Sequence, residues 1–402
     1  MNWPPNLSDE ARPQPRRQTG TSENGVVPIG SRCWVEVSRS QIAANYRNVR
    51  DSVGSGVEVC GVVKADAYGH GMIEVARILA QQGARWLAVS SVEEGVTLRR
   101  HGIDLRILVM AGVLPGERDA ILEYQLTPAV HDIAELSALD AVAAQRDSSL
   151  PFHLKIDSGM GRLGTRASAE EIAEAVAPLR YAKLEGLMTH FASAADFTSP
   201  QTDSQIAYFD TIAIGLAARG VSPTYLHLSS TNGIAYPRSG GLRAMVRPGH
   251  AIYGYVSPAR GRGPMRTLDV KPALSWKTRI VAVKQVPEDA LIGYGGSYCT
   301  AHPMCIAVLA AGYADGIPHR LSNRGKVIAG GKLTSILGTV SMDLTTIDIT
   351  HAPHLRPGDV VTLLGTEGEV SLDAQQIAKT AGTISYNVLC GISARVKRFY
   401  VE

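Results

Sequence analysis

Features that would by themselves narrow the function are scarce in this chain. Cys33, Cys60, Cys299, Cys305 and Cys390 are odd in number and scattered over 402 residues, which excludes a disulfide-stapled scaffold and shows no paired metal-ligand spacing. Reduced thiols in a cytoplasmic protein are the simplest reading, and no metal is expected. Long apolar runs are missing too: the best, Met304–Gly312, falls far short of the 18 or so residues of a membrane helix and reads as a buried strand. Net charge is small. Forty Lys and Arg against 37 Asp and Glu leave +3, too balanced to attract nucleic acid or an anionic membrane by bulk electrostatics. What is present is 45% hydrophobic residues, enough to bury large cores, in a length that suggests two or three domains. A small molecule is the expected partner.

The first 30 residues hold five of the 21 prolines and no secretory signal, so residues 1–30 read as a flexible extension. From Glu58 onward, short β-branched runs alternate with segments of helical period, as repeated βα units require. Candidate strands are Val57–Lys64, Trp86–Ser90, Arg106–Met110, Leu126–Val130, Pro151–Ile156, Lys183–Thr189, Tyr225–Ser229 and Ala244–Arg247, with helical patterns such as Met72–Gln82, Val92–His101 and Gln205–Arg219 between them. Eight units in about 200 residues match an α/β protein of the (β/α)8 TIM-type barrel kind, although a doubly wound open sheet would give much the same string. The barrel is expected over 31–275. After about Ser275 the rhythm changes to short strands, Thr278–Val286, Cys305–Leu309, Thr334–Gly338, Leu344–Asp348 and Val360–Leu364, with one clear helix, Leu372–Ala381. Residues 276–402 therefore read as a mostly β domain, which the early strand Cys33–Ser38 could join.

Chemistry enters at Gly61-Val-Val-Lys64-Ala-Asp-Ala-Tyr68-Gly-His-Gly71. A lysine ends an apolar strand there, on the face where barrels carry their active sites, and desolvation at such a place favours a nucleophilic amine. The loops after strands seven and eight, Ser230-Thr231-Asn232-Gly233 and Pro248-Gly249-His250, are where barrels often bind phosphate, with glycine allowing close backbone approach and a hydroxyl donating to the anion.

The VVKADAYGHG segment resembles the pyridoxal-phosphate lysine motif of the alanine racemase family, and the likeness extends through most of the chain outside the tail. The resemblance implies that Lys64 forms the aldimine with pyridoxal 5'-phosphate and that Tyr68 contacts the cofactor phosphate. Lys155-Ile-Asp157-Ser-Gly-Met160-Gly-Arg162 is similar to the family element whose lysine is commonly carboxylated and whose arginine positions cofactor and substrate carboxylate. Thr189-His190-Phe-Ala is similar to a T-H-F-A element, implying that His190 links Arg247 to a catalytic tyrosine. Arg247-Pro-Gly249-His250-Ala-Ile-Tyr253-Gly254 is similar to an R-P-G element whose arginine faces the pyridine nitrogen. Tyr386 aligns with a further phosphate-contacting tyrosine. The chain departs from the family pattern at Ser230-Thr231, where Asn-Ser is usual, at His250, more often aliphatic, and at Asn387, more often glutamate.

Racemisation needs proton transfer on both faces of a planar carbanion, so one lysine is insufficient. Gly293-Tyr294-Gly295 resembles the element carrying the opposite-face tyrosine, which the family supplies from the neighbouring subunit. Gly312-Tyr313-Ala-Asp315-Gly316 and Ser341-Met342-Asp343 resemble elements placing Tyr313 at the site entrance and the Met342 N–H on the substrate carboxylate. The implied function is a cytoplasmic, homodimeric alanine racemase supplying D-alanine for peptidoglycan. A serine or broad-specificity racemase uses the same scaffold, since pockets discriminate one extra hydroxyl weakly. A barrel decarboxylase is disfavoured by Arg247, and a non-catalytic pyridoxal-phosphate carrier by the β domain.

Overall fold

The computed structural model describes residues 30–402; the expected extension over 1–30 lies outside the described residues, save Gly30. The chain enters through β1 (Cys33–Ser38) and the helix Arg39–Val53, whose N-cap Ser38 accepts a hydrogen bond from Gln41 N. Eight parallel strands follow: β2 (Glu58–Val62), β3 (Trp86–Val89), β4 (Arg106–Val109), β5 (Thr127–Val130), β6 (Leu150–Lys155), β7 (Ala182–Met188), β8 (Tyr225–His227) and β9 (Met245–Val246). They pair in the order β8-β7-β6-β5-β4-β3-β2-β9. A parallel bridge between Ser230 and Arg247, with Arg247 N donating to Ser229 O at 2.9 Å, joins the two ends of that order. The ring is closed, which decides for the barrel over the open sheet.

Both faces of these strands are covered. Trp86–Val89 and Ile107–Val109 are buried without a break, as the continuous apolar runs of a parallel sheet require. Seven of the eight strands end one or two residues before the expected run does, β5 being the exception, because those last residues have left the ladder to form the rim.

The remaining chain builds a nine-stranded sheet from β1, β10 (Leu274–Val286), β13 (Met304–Leu309), β14 (Lys326–Ala329), β15 (Lys332–Leu337), β16 (Thr345–Asp348), β17 (Val360–Glu367), β18 (Val370–Leu372) and β19 (Lys397–Val401). A separate hairpin joins β11 (Leu291–Ile292) and β12 (Tyr298–Cys299). The early strand β1 does join this sheet, antiparallel to β10 and parallel to β19. The strands β11, β12, β14, β18 and β19 are not among those expected from the sequence, and two helical elements differ from the reading. Leu372 ends a strand, so the expected helix begins at Ala374 behind its Asp373 cap. A second helix, Ser385–Cys390, has only six residues, too few for a helical period to register.

Candidate active site

The segment after β2 is not an open loop. Ala65, Asp66, Ala67 and Tyr68 all have φ between 52° and 55°, forming one left-handed helical turn over Lys64–Gly69. Four non-glycine residues in that conformation cost about 1–2 kcal/mol each. Tertiary bonds offset the cost: Glu94 accepts from Ala65 N and Ser90 N, both at 2.7 Å, and Asp66 accepts from Met72 N at 2.7 Å. From the β domain, Arg398 donates to Gly69 O and Tyr400 to His70 O, both at 3.1 Å. The last strand of the chain thus braces the turn that carries Lys64 and Tyr68.

The turn opens into a cavity of about 680 Å³ at the C-terminal ends of the strands, within the usual size for a small-molecule site. Lys64 and Tyr68 line it from the turn, Lys155 and Arg162 from the β6 strand and its loop, and His190 from the end of β7. Thr231, Arg247, Gly249 and His250 line it from the last two barrel loops, and Tyr386 from the short helix of the β domain. Every barrel-side candidate named from the sequence converges there. Asp157 orders the Arg162 loop by accepting from Gly159, Met160 and Gly161 N–H at 3.0–3.1 Å.

Four cations share this space, which favours an anionic occupant. Burial and Arg162 lower the Lys64 ammonium below its ordinary value. Burial, then Arg247 and Arg162, push Lys155 down to about 8. Burial and the same cations push His190 down to about 3, leaving it neutral at physiological pH. Lys155 makes no salt bridge among the described residues.

One expected contact is corrected. Arg247 donates to His227 Nδ1 at 2.8 Å, Thr189 O at 2.6 Å and the carbonyls of His227 and Leu228; no bond joins it to His190. The arginine is buried beneath the rim, where its terminal nitrogens meet the strand-end carbonyls and the inward-facing His227. His227 in turn meets His153 Nδ1 through Nε2 at 2.9 Å. Arg247 donates, so His227 accepts at Nδ1 and carries its proton on Nε2, a tautomer fixed by the network. Sequence reasoning missed this pair, since 74 residues separate His153 from His227.

At the phosphate end, Thr231 Oγ1 accepts from Gly249 N at 3.2 Å and Ala251 N at 3.1 Å, tying the two loops together. Gly249 is needed for space: a Cβ there would lie 2.3 Å from the Tyr68 hydroxyl. The hydroxyls of Thr231 and Tyr68, the close-packed glycine and the nearby amine form a donor set and cradle that fit a phosphate-bearing aldehyde. Gly249→Ala should displace Tyr68 and weaken pyridoxal-phosphate uptake by about tenfold or more, read by titrating apoenzyme with the cofactor.

Tyr294, Tyr313 and Met342 stand elsewhere. They are 76%, 45% and 54% exposed on the β domain and do not line this cavity. Asn387 is not among the residues lining the cavity, so its departure from glutamate leaves the cavity wall unchanged.

A closed barrel with an amine of lowered pKa and a cationic cavity at its rim defines an enzyme that holds an anionic, carbonyl-bearing ligand. The profile of the alanine racemase N-terminal domain matches residues 37–258, and that of the C-terminal domain matches 273–400. The chain belongs to the alanine racemase family. It is 41% identical over 368 residues to the alanine racemase of Halothermothrix orenii, covering 91% of this chain and 96% of the relative, and 39% identical over 370 residues to that of Symbiobacterium thermophilum, covering 91% and 96%. Among solved structures, the alanine racemase of Clostridium difficile 630 superposes with a TM-score of 0.87 at 34% identity, covering 93% of this chain and 97% of that one. The Bartonella henselae alanine racemase, solved with covalently bound pyridoxal phosphate, superposes with a TM-score of 0.82 at 25% identity, covering 92% and 100%. The activity is that of a pyridoxal-phosphate-dependent isomerase that interconverts L- and D-alanine.

Proposed function

We propose that Lys64 and Tyr294 divide the proton transfer of this racemisation between the two faces of the substrate, with Tyr294 coming from a second copy of the chain. The observation that carries the reading is the convergence of Lys64, Lys155, Arg162 and Arg247 on one cavity that also presents Tyr68, Thr231 and Tyr386. Pyridoxal phosphate, when bound, supplies an electron-withdrawing ring that acidifies the substrate α-proton.

The protein's own residues do the rest. Lys64 would hold the cofactor through its amine and would move the α-proton on the D face; its lowered pKa keeps more of it unprotonated than an ordinary lysine. Tyr68, Thr231, Gly249, His250 and Tyr386, which line one cavity, would hold the phosphate end. Arg247 keeps its proton at any working pH; with its terminal nitrogens committed to His227, Thr189 and Leu228, it would face the pyridine nitrogen through Nε–H, and a donor that keeps its proton there would limit electron withdrawal by the ring. Arg162 and the Met342 N–H orient the substrate carboxylate, and Tyr313 shapes the entrance.

The exposure of Tyr294, Tyr313 and Met342 on adjoining turns, where Tyr313 N donates to Ser341 O, Ala314 N to Met342 O and Thr339 Oγ1 to Tyr294 O, supports a homodimer in which each copy completes the other's site, since a contiguous exposed apolar patch marks an interaction surface. Among the described residues no helix is long and apolar enough to cross a membrane. This accords with a cytoplasmic enzyme supplying D-alanine for peptidoglycan, and the test is chiral chromatography of L- and D-alanine against serine, with wild-type enzyme and Lys64→Ala in parallel.

Lys155 is assigned as a carbamate. Its neutral amine would attack carbon dioxide, forming an N–C bond and releasing one proton to solvent, and the anionic product would accept from Arg162. A pKa of about 8 leaves roughly one amine in ten neutral at pH 7, against fewer than about one in a thousand for an ordinary lysine. Carbamate formation should therefore rise from pH 7 to 8. With 13C-labelled bicarbonate, a carbamate resonance is expected in wild type and not in Lys155→Met; identical spectra would refute the assignment.

A further inference from the structure

A barrel interior is ordinarily filled by branched aliphatic side chains, but a polar column runs down through this one from the cavity. Arg247 Nη1 donates to His227 Nδ1 at 2.8 Å, His227 Nε2 meets His153 Nδ1 at 2.9 Å, and His153 Nε2 lies 3.5 Å from Glu185 Oε2. The same carboxylate oxygen accepts from Arg106 at 2.6 Å, and the Arg106 guanidinium lies 3.9 Å over the Trp86 ring. Five barrel strands, β3, β4, β6, β7 and β8, thus contribute below Arg247. Arg247, His227 and His153 are at most 2% exposed, so each depends on its neighbours for hydrogen bonds.

The donors in this column run one way. Arg247 can only donate, so His227 carries its proton on Nε2 and gives it to His153 Nδ1, which leaves the His153 proton on Nε2, facing Glu185. Burial pushes both imidazoles below their ordinary value, and Arg247 adds to this at His227, so both are neutral with one N–H each. Burial alone would raise the Glu185 carboxyl, but His153 and Arg106 hold it down to about 2, so the column ends on a group that only accepts. His153 Nε2 has no hydrogen-bond partner of its own among the described residues, which makes this long ion–dipole contact its one polar neighbour. The opposite proton pattern would set a His227 N–H against an Arg247 N–H at 2.8 Å, two donors with no acceptor between them. The carboxylate therefore favours the pattern that Arg247 can use. Packing holds the His153 ring itself, with the Trp86 and Tyr225 centroids 5.4 and 5.9 Å away, so losing Glu185 would free its proton and leave its plane in place.

We propose that Glu185, acting through His153 and His227, is a positioning residue for Arg247: it fixes the histidine tautomers that hold the guanidinium with Nε–H toward the cofactor's pyridine nitrogen. The inference rests on the reading of Arg247 as the residue facing that nitrogen and extends it to a side chain on the far side of the barrel interior, since neither Glu185 nor His153 lines the cavity. Without the carboxylate both tautomers of His153 become available, and the acceptor that holds Arg247 Nη1 is no longer fixed.

The test measures kcat and KM for L-alanine with two cofactors, pyridoxal phosphate and its carbocyclic analogue in which C–H replaces the pyridine nitrogen, in wild type, Glu185→Leu and Glu185→Gln. With pyridoxal phosphate, Glu185→Leu should lose about tenfold in kcat, the scale on which partners that fix a functional histidine's tautomer act, while KM and cofactor affinity change by less than about twofold. Glu185→Gln, which keeps an acceptor in the same place, should recover most of the loss. With the analogue, wild type and Glu185→Leu should agree within about twofold, because Arg247 then has no ring nitrogen to face. The proton positions are read separately in 15N-histidine-labelled apoenzyme, with His153→Phe identifying the His153 signals. Wild type and Glu185→Gln should show His153 and His227 protonated on Nε2, and Glu185→Leu should show the Nδ1 form as well. An equal loss with both cofactors would mean that Glu185 merely supports the fold and would overturn the proposal, as would an unchanged kcat or unchanged tautomers in Glu185→Leu. If Glu185→Leu does not fold, His153→Phe takes its place in the cofactor comparison, where an equal loss with both cofactors, or none, overturns it. Wild-type enzyme that turns over equally fast with both cofactors would overturn the reading of Arg247 itself, a different result from a wild type that slows with the analogue but matches Glu185→Leu with pyridoxal phosphate.

Discussion

Phenylalanine in place of Tyr294 is expected to lower racemisation by roughly 10²–10⁴-fold, the range for removing a positioned general acid or base, while pyridoxal-phosphate binding stays at the wild-type level. The reason is positional. Tyr294 sits in a short turn between Gly293 and Gly295, with φ of 76° and 69°, and its carbonyl accepts from Thr339 Oγ1 at 3.2 Å. The backbone is fixed, the ring is exposed, and none of it touches the cofactor cavity of its own chain. Loss of the hydroxyl should therefore remove one proton transfer and leave the ligand's own contacts intact. Solvent deuterium separates the faces: starting from one enantiomer, exchange at the α-carbon should be slowed far more where Tyr294 acts than where Lys64 acts.

Lys64→Ala should be more severe, with racemisation down by about 10⁴-fold or more, because the covalent attachment and one of the two proton-transfer groups are lost together. The protein should remain folded. Lys64 is only partly buried, and the left-handed turn beginning there is held by Glu94, Asp66, Arg398 and Tyr400 rather than by the lysine side chain. The colour of the bound cofactor should vanish with the amine. A Lys64→Ala enzyme that stays yellow after gel filtration would place the attachment on another residue.

Much of the fold was legible because barrel strands must be apolar on both faces. Runs such as Arg106–Met110 and Trp86–Ser90 could be read locally, and all eight recurred in the closed sheet. The rest depended on tertiary contacts. Nothing in Ala65-Asp-Ala-Tyr68 favours a left-handed turn, which non-glycine residues avoid; it exists because Glu94 and the β-domain residues Arg398 and Tyr400 bond to it. The helix that delivers Tyr386 is too short to show a period. The site was legible as a set of residues, through the family motifs, but its connections were less so. Arg247 bonds His227 instead of the expected His190, since direct contact across strand ends depends on barrel curvature that spacing alone does not encode.

The central claim is that each active site is assembled from Lys64 of one chain and Tyr294 of another. Co-expression of differently tagged Lys64→Ala and Tyr294→Phe chains, followed by purification of the mixed population, tests it directly. Neither homodimer has a complete site. In a mixed dimer the site holding Lys64 would receive the partner subunit's Tyr294, so random two-fold pairing should restore roughly a quarter of the wild-type activity. A mixed population no more active than either variant alone would contradict the account.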